Sequence, residues 1–287
     1  MLYVVATPIG NLGDMSPRAV ETLRGVDLIA AEDTRHTMKL LTHFDIRTAM
    51  TSLHEHNEQG KSAAIVRRMV EEGISVALVT DAGTPAVSDP GAILVREAVQ
   101  AGIEILAVPG PSAAVAALSV SGFVVGQFAF YGFPPREKKA LRAYLAALAG
   151  RDEAAILYES PRRTGALLQA VLDSLGDVPL SLSCDLTKLH EKTLRGPVTV
   201  VLADFLANDK AEKGEYVMVL DLRGTARPQE ATAAAVGLEA QLLDLCLSGL
   251  SLQEAMTALT ACGERKNAVY AASLRLKQLL TDDALKA

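Results

Sequence analysis

Short apolar runs alternate with segments of helical spacing in the N-terminal part of this chain, and this alternation constrains its fold more than any other feature. The apolar runs are Leu2–Ala6, Asp27–Ala31, Ile74–Val79 and Ile103–Val108. The segments with helical spacing are Pro17–Leu23, Thr34–Phe44, Glu58–Glu72 and Pro90–Ala101. Ser16 stands where it can cap the first of these helices. Strands that alternate with helices predict a parallel α/β sheet with buried strands.

Loops rich in glycine and proline follow three of the predicted strands. They are Thr7–Asp14, Thr80–Gly91 and Val108–Val115. Because ligands of parallel α/β sheets bind at the carboxyl ends of the strands, the three loops are predicted to form one binding edge. Neither a GxGxxG fingerprint nor a GxxxxGKS/T phosphate loop occurs, so the pattern favours a small ligand held mostly through backbone groups.

The second of these loops, "TDAGTPAVSDPG", carries the strongest turn signal. Gly83 permits a positive φ or a close approach of the backbone to a ligand. Asp81, at the end of the strand, can accept hydrogen bonds from an amine or a ribose. Ser88 or Asp89 is predicted to cap the next helix, with Pro90 in its first turn.

The segment "AEDTRHT" places charged and titratable side chains directly after the second predicted strand. Glu32, Asp33, Arg35 and His36 would lie at the same edge as the loops, which favours a catalytic or substrate-binding use. The alternative is structural, since Asp33 or Thr34 could cap the following helix and leave Arg35 exposed.

Three further polar segments allow both a functional and a structural interpretation. In "HEHNE", His54 and His56 would share one face of a strand, but no third ligand is evident, so no metal site is predicted. The segments "YESPRR" and "LTKLHE" end predicted strands further along the chain. Their Arg162, Arg163 and Lys188 would either face a phosphodiester or form a solvated surface.

The stretch from Gly122 to Lys139 interrupts the alternation and predicts a passage into a second α/β unit. We therefore expect an N-terminal α/β domain over residues 1–121 and a second α/β domain over residues 122–224. Small residues make 225–236 a predicted linker, and 237–287 is predicted to be a small helical domain. Two short helices joined at a glycine there resemble a helix-turn-helix, although a plain helical cap fits the pattern as well.

Composition narrows the classes of function. The net charge of −6, the absence of tryptophan and 4% aromatic residues argue against indiscriminate nucleic-acid binding. The three cysteines have neither metal-ligand nor disulfide spacing. No apolar run approaches the ~20 residues that cross a bilayer, and the N-terminus lacks a basic signal region. We expect a cytoplasmic protein that does not associate with membranes.

Seven motifs in order, across about residues 2–222, resemble those of one known family. They are "VATPIGNLGD", "AEDTRHT", "HEHNE", "VTDAGTPAVSDPG", "VPGPSA", "YESP" and "LTKLHE". Together they resemble the ribosomal RNA small-subunit methyltransferase I family of the tetrapyrrole methylase superfamily. The resemblance implies two α/β domains with S-adenosylmethionine in the cleft between them and a helix-turn-helix-like C-terminal piece. It also implies a homodimer that methylates a cytidine ribose 2′-oxygen in small-subunit rRNA, with the assembled 30S subunit as the expected partner.

The resemblance also implies which residues bind the cofactor. From the first domain these are Pro8, Asp81, Ala82, Gly83, Val87, Ser88, Ser112 and Ala113. From the second domain they are Tyr158, Glu159, Leu186 and Thr187. The sequence departs from the family pattern where Cys184-Asp185 stands in place of the usual Arg-Glu, which alters any contact that the pair makes to RNA or to a partner subunit.

A ribose hydroxyl is a weak acid, so a positioned base would accelerate its methylation, typically by ~10²–10⁴-fold. We favour Asp33 as the base or hydroxyl orienter, with Glu32 and His36 as alternatives. Arg35 or Lys188 would hold a phosphate or stabilise the developing oxyanion. Two other functions remain open, a methylase acting on a tetrapyrrole or other small molecule and a non-catalytic nucleic-acid-binding regulator that works through the tail.

Overall fold

The computed structural model describes residues 1–225 and 237–281. They belong to two compact units that divide after Thr225. Except for Thr225, the predicted linker 225–236 lies outside the described residues, as do residues 282–287 of the predicted C-terminal domain. The first unit contains both sheets described below, and the boundary at 121–122 that the sequence suggests within it stays a prediction.

The first sheet is parallel, as the alternation of strands and helices predicts. Within the described residues its strands are β1 (Leu2–Val5), β2 (Leu28–Ala31), β3 (Met50–Ser52), β4 (Val76–Val79) and β5 (Ile105–Val108). Their order is β3-β2-β4-β1-β5, and Val4 of β1 lies opposite Leu78 on one side and Ala107 on the other. The loops after β1, β4 and β5 therefore meet at one edge of the sheet.

Helices cover both faces of this sheet. They are α1 (Pro17–Gly25), α2 (Thr34–His43), α3 (Glu58–Glu71) and α4 (Ala92–Gln100). Alternation along β4 explains the two layers, because Ala77 and Val79 pack against α1 and α2 while Val76 and Leu78 pack against α3 and α4. The cap predicted at Ser16 is confirmed, since its Oγ accepts a hydrogen bond from the Ala19 amide at 3.1 Å.

The predicted start of α4 is wrong. The helix begins at Ala92, its cap position is Gly91, and neither Ser88 nor Asp89 caps it. A more distant residue does this instead, because the buried Glu58 accepts hydrogen bonds from the amides of Gly91 and Ile93, each at 2.8 Å. Local turn signals could not reveal a cap that comes from another helix.

The second sheet is mixed. Within the described residues its strands are β6 (Phe128–Gly132), β7 (Ala154–Glu159), β8 (Pro179–Cys184), β9 (Lys192–Pro197) and β10 (Tyr216–Asp221). In the order β6-β7-β10-β8-β9, the first pair is parallel and the other pairs are antiparallel. Helices associated with this part of the chain are α5 (Ala113–Ser119), α6 (Lys138–Leu148), α7 (Pro161–Leu175) and α8 (Val198–Leu206).

Alternation along β7 assigns the two faces of this sheet. Ala155 and Leu157 face the core formed with α6, α7 and α8. Ala154 and Ile156 face α5, which leaves the first sheet and packs against the second. The expectation of two α/β parts, each built on its own sheet, is therefore confirmed. Helix α5 connects the two parts.

The C-terminal unit is helical, as predicted, over the residues that the structure describes. It contains α9 (Leu238–Leu247), α10 (Leu252–Ala261) and α11 (Lys266–Thr281). Ser251 and Glu254 form a capping box at the start of α10. Leu242, Leu259 and Val269 belong to a core of its own. In the described parts of the chain, no helix combines the length and hydropathy that crossing a bilayer requires.

Candidate active site

Hydrogen bonds between the glycine- and proline-rich loops make a rigid rim at the edge of the first sheet. Thr7 and Gly83 exchange two backbone hydrogen bonds, of 2.9 and 3.1 Å, and the Thr7 hydroxyl donates to the Thr80 carbonyl at 3.0 Å. Thr84 Oγ1 donates to the Pro111 carbonyl at 3.3 Å and so joins the third loop. Gly83 has φ of +87°, a conformation that favours glycine. The three predicted loops thus come together as one structure.

A cavity of about 720 Å³, called here the large cavity, lies between this rim and the inner face of the second sheet. Most of the residues predicted to bind the cofactor line it. They are Ala82, Gly83, Val87, Ser88, Ser112, Ala113, Tyr158, Glu159 and Leu186. These residues come from the loops of the first sheet and from the second sheet, so the fold brings together positions as far apart in the sequence as Ala82 and Leu186.

Aromatic side chains form the wall contributed by the second sheet. Tyr158 lies edge to face with Phe130 and Phe133, with ring centroids 4.7 and 5.6 Å away. Phe128 and Ile9 add further apolar surface. Sequence reasoning missed these residues, although the alternating "FAFYGF" after Gln127 is a signal that could have found the phenylalanines.

Carboxylates also reach the large cavity. Glu159 is almost fully buried, and its Oε1 accepts a hydrogen bond from the Ser160 amide at 2.7 Å. Its Oε2 forms an ion pair with Arg163 at 3.2 Å, so this arginine neutralises a buried charge. Glu215 and Asp89 line the same cavity, and sequence reasoning assigned neither of them to a site.

The carboxyl group of Asp89, in the large cavity, has a raised pKa. Burial raises its pKa to about 6, and the negative charges of Glu32 and Asp81 act in the same direction. Burial and the Glu32 charge also raise the pKa of Asp81. The site therefore concentrates negative charge, and a bound cation would relieve the repulsion.

A second cavity of about 240 Å³, called here the small cavity, is lined by the same loops and by α2. Its residues are Thr7, Pro8, Gly10, Leu12, His36, Thr37, Lys39, Leu40, Thr80 and Asp81. Adjacent residues line different cavities, since Pro8 and Asp81 line the small one while Ile9 and Ala82 line the large one. Pro8 and Asp81, both predicted cofactor ligands, thus lie on the small-cavity side of the rim.

Glu32, Asp33 and Arg35 line neither cavity. Glu32 accepts hydrogen bonds from Thr80 Oγ1 at 2.5 Å and from the Asp81 amide at 3.2 Å, which ties the end of β2 to the end of β4. Among the residues predicted to act in catalysis, His36 reaches the small cavity directly.

Asp33 is the N-cap of α2, which fits the structural alternative considered for it. Its Oδ1 accepts from the Arg35 amide at 2.8 Å, and its Oδ2 pairs with the Arg35 guanidinium at 2.7 Å. These hydrogen bonds hold the pKa of Asp33 well below its usual range. Its own amide donates to Asp81 Oδ1 at 3.2 Å, so Asp33 lies directly behind a residue of the small cavity.

Lys188 lies between two carboxylates. Its Nζ is 2.9 Å from Asp185 and 3.0 Å from Glu215. Burial works to lower its pKa, but the hydrogen bonds to both acids outweigh burial and raise it, so Lys188 stays protonated. Asp185, one of the two residues that depart from the family pattern, thus neutralises part of this charge. The neighbouring Thr187 does not line the large cavity, and its cofactor role stays a prediction.

The "HEHNE" segment is a turn, so the expectation that His54 and His56 share a strand face is wrong. β3 ends at Ser52, and Asn57 Oδ1 accepts a hydrogen bond from the His54 amide at 2.9 Å. The last residue of the segment is Glu58, which caps α4. Among the described residues, no three histidine, cysteine or acidic side chains are grouped as a metal site requires.

Comparisons with known proteins place this architecture in a family. A family model described as Tetrapyrrole (Corrin/Porphyrin) Methylases matches residues 1–201. A ribosomal RNA small subunit methyltransferase I from Synechocystis is 43% identical over 89% of this chain and 90% of its own length. The protein of the same name from Vibrio cholerae is 40% identical over 94% of this chain and 93% of its own. The chain belongs to the ribosomal RNA small-subunit methyltransferase I family.

The fold of this family member extends to a solved structure with little sequence similarity. A uroporphyrin-III-C-methyltransferase from Thermus thermophilus is 19% identical, with a TM-score of 0.53 over 78% of this chain and 95% of its own. That likeness concerns the fold. The two α/β layers of this methyltransferase I family member are therefore those of a tetrapyrrole methylase, as the sequence motifs suggest.

Proposed function

We propose that this protein transfers a methyl group from S-adenosylmethionine to small-subunit ribosomal RNA, at the 2′-oxygen of a cytidine ribose. The observation that carries the proposal is the large cavity, on which residues predicted for the cofactor converge from three loops and from the second sheet. The names of the relatives, at about 40% identity over most of the chain, supply the class of substrate.

The residues of the large cavity fit the cofactor. Its volume of about 720 Å³ falls within the ~300–1,000 Å³ of small-molecule sites. Phe130, Phe133 and Tyr158 offer an apolar surface for an adenine ring. Asp89 provides negative charge for the sulfonium or the ammonium group, whereas the charge of Glu159 is already balanced by Arg163.

When bound, S-adenosylmethionine would supply a methyl group: its bond to sulfur would break as its bond to the ribose oxygen forms, the neutral thioether would leave, and the hydroxyl proton would pass to solvent. The chain contributes positioning, because the rim loops are tied by the Thr7–Gly83 bridge. Well-oriented reactants gain up to ~7–11 kcal/mol in this way. Asp33 and its partner Arg35 act behind the small cavity as orienting groups, because a carboxylate with a lowered pKa is a weak base at neutral pH.

A tetrapyrrole as acceptor is the alternative within the superfamily, and one experiment separates the two. The purified protein is incubated with labelled S-adenosylmethionine and either small ribosomal subunits from a strain that lacks the enzyme or a set of porphyrinoids. We expect label in the rRNA alone, and mass spectrometry of nuclease digests should locate it on a cytidine ribose. Label in a porphyrinoid, with none in the subunits, would overturn the proposal.

The finer features of the reaction belong to the same proposal. The substrate is the assembled 30S subunit, which would place the reaction in the cytoplasm. The active species is a homodimer, as the resemblance of the motifs to the family implies. Methylation assays with naked rRNA as a second acceptor test whether the assembled subunit is the substrate. Sedimentation of the purified protein tests whether it is a homodimer. A regulator acting through the tail would instead leave both acceptors unmethylated.

A further inference from the structure

The small cavity differs in chemistry from the large one. Four of its side chains, those of His36, Thr37, Lys39 and Leu40, come from one helix, α2. Asp81 and Thr80 line it from the end of β4. A cation, hydroxyl groups and a carboxylate lie around about 240 Å³ together with the apolar side chains of Pro8, Leu12 and Leu40, whereas the wall of the large cavity is aromatic on one side. The reaction requires a second ligand, the acceptor, and the proposed function assigns the large cavity to the methyl donor.

Thr37 is the feature that points to a ligand. Its side chain is 2% exposed, and its Oγ1 has no hydrogen-bond partner among the described residues. The hydroxyl groups of three other threonines in helices do have hydrogen-bond partners. Thr22, Thr42 and Thr164 each donate to the carbonyl four residues earlier, at 2.8, 2.7 and 3.0 Å. A buried hydroxyl without a partner is costly, so its presence in a cavity wall indicates a partner that arrives with a ligand.

Lys39 supplies the charge. It is exposed at the mouth of the small cavity, one turn of α2 beyond His36, and it has no ion pair with any residue in 1–225 or 237–281. Two other basic residues near the cavities already form ion pairs: Lys188 pairs with Asp185 and Glu215, and Arg163 pairs with Glu159. Lys39 is therefore available for a phosphate.

We propose that the small cavity binds the acceptor nucleotide, with the Thr37 hydroxyl hydrogen-bonded to that nucleotide and Lys39 paired with a phosphate beside it. The inference rests on the proposed function and deepens it. Its volume of about 240 Å³ lies below the ~300–1,000 Å³ of larger ligands and suits one nucleoside. Pro8 and Asp81 line the small cavity, and the residues that follow them, Ile9 and Ala82, line the large one. A nucleotide in the small cavity would therefore lie next to the methyl donor.

The first test replaces Thr37 by valine, which keeps the shape and removes the hydroxyl. We expect kcat/KM for small subunits to fall about 5- to 100-fold, because a polar group of the bound nucleotide loses its partner. The Kd for S-adenosylmethionine should stay within twofold of the wild-type value, and the Tm should stay equal or rise, since an unpaired buried hydroxyl is removed. Thr42→Val, on the same helix outside both cavities, is the matched control and should leave kcat/KM unchanged.

The second test replaces the exposed Lys39 by methionine, a change that the fold tolerates. We expect a higher KM for subunits and a salt dependence of binding whose logarithmic slope is smaller by about 1, as the loss of one phosphate contact predicts. The Kd for S-adenosylmethionine should again be unaffected. This variant decides the question if Thr37→Val does not fold.

Three outcomes separate the inference from the function on which it rests. If wild-type protein fails to methylate subunits, the proposed function is wrong. If wild-type protein is active and both variants methylate subunits at the wild-type rate, the small cavity is not the acceptor site. If either variant instead weakens S-adenosylmethionine binding in proportion to activity, the cavity belongs to the methyl donor, and the inference is also overturned.

Discussion

At the scale of single residues, the site depends on how acidic groups share hydrogen bonds. Glu32, Asp33 and Asp81 lie close together at the ends of β2 and β4, but each has a different environment. Glu32 is held by Thr80 and the Asp81 amide, Asp33 is paired with Arg35, and Asp81 faces the small cavity. The sequence alone identified this acidic group, whereas the division of roles depends on contacts between residues 48 or 49 positions apart.

The substitution Asp33→Asn tests the orienting role of this carboxylate. Asparagine is also a good N-cap, so α2 should form normally and the Tm should change little. We expect methylation of subunits to fall at least 10-fold, since the charge that organises Arg35 is lost, while the Kd for S-adenosylmethionine stays near the wild-type value. Calorimetry and a single-turnover assay measure the two quantities. An equal loss in both would assign Asp33 to the cofactor site.

Asp89 makes the large cavity sensitive to pH. Its folded pKa of about 6 lies above the ordinary value of 3.8, so the folded state binds the proton more tightly than the unfolded state. The stability that this carboxyl contributes is therefore greatest below about pH 4, declines as the pH rises to about 6, and stays low above that. The affinity for the cationic cofactor should change in the opposite direction, because the ionised carboxylate attracts it.

Asp89→Asn should abolish both pH trends. We expect a higher Tm at pH 7.5 than in the wild type, because a carboxylate repelled by Glu32 and Asp81 becomes neutral. Binding of S-adenosylmethionine should weaken about 3- to 10-fold at pH 7.5 and should lose its dependence on pH between about 5 and 7. Calorimetric titrations of both proteins across this range provide the measurement. A variant that keeps the wild-type pH dependence would show that another group controls binding.

At the scale of elements, the sequence predicted the strands, helices and loops of the first sheet because their signals are local. Apolar runs, caps and turn residues act over a few positions, and the observed boundaries of β4 and α2 differ from the predicted ones by only one or two residues. The prediction of helix starts and turns failed where a contact between residues distant in the sequence determines the local structure. The cap of α4 comes from Glu58, 33 residues before Gly91, at the end of the "HEHNE" segment where α3 begins.

Replacement of Glu58 tests whether this remote cap positions the loop of the large cavity. Glu58→Ala leaves the amides of Gly91 and Ile93 without their acceptor, which should cost ~2–4 kcal/mol of unfolding free energy. We also expect weaker binding of S-adenosylmethionine, since the loop from Thr80 to Gly91 loses its anchor. Glu71→Ala, an exposed position on the same helix, should leave stability within ~0.5 kcal/mol. Urea unfolding and calorimetry on both variants decide whether the effect is specific to Glu58.

At the scale of the whole molecule, motif order was sufficient to predict two α/β layers with a cleft, but the aromatic wall was not recognised. Tyr158 was expected there because it belongs to a motif, whereas Phe130 and Phe133 lie outside the seven motifs, in the stretch from Gly122 to Lys139. Their place is set by how the second sheet packs against α5, which is a property of the assembled fold. The three helices of the C-terminal unit pack around an apolar core of their own.

A chain that ends at Thr225 tests the contribution of the C-terminal unit. Every residue that lines the large and the small cavity lies within residues 1–225, so the shortened protein should bind S-adenosylmethionine with a Kd within twofold of the full chain. If the helical unit helps to recognise the ribosome, the KM for small subunits should rise at least 10-fold while kcat changes little. Comparing both proteins on subunits and on naked rRNA distinguishes the cases. An unchanged KM on both acceptors would exclude the unit from substrate recognition, and a lost cofactor affinity would contradict the assignment of the whole donor site to the first unit.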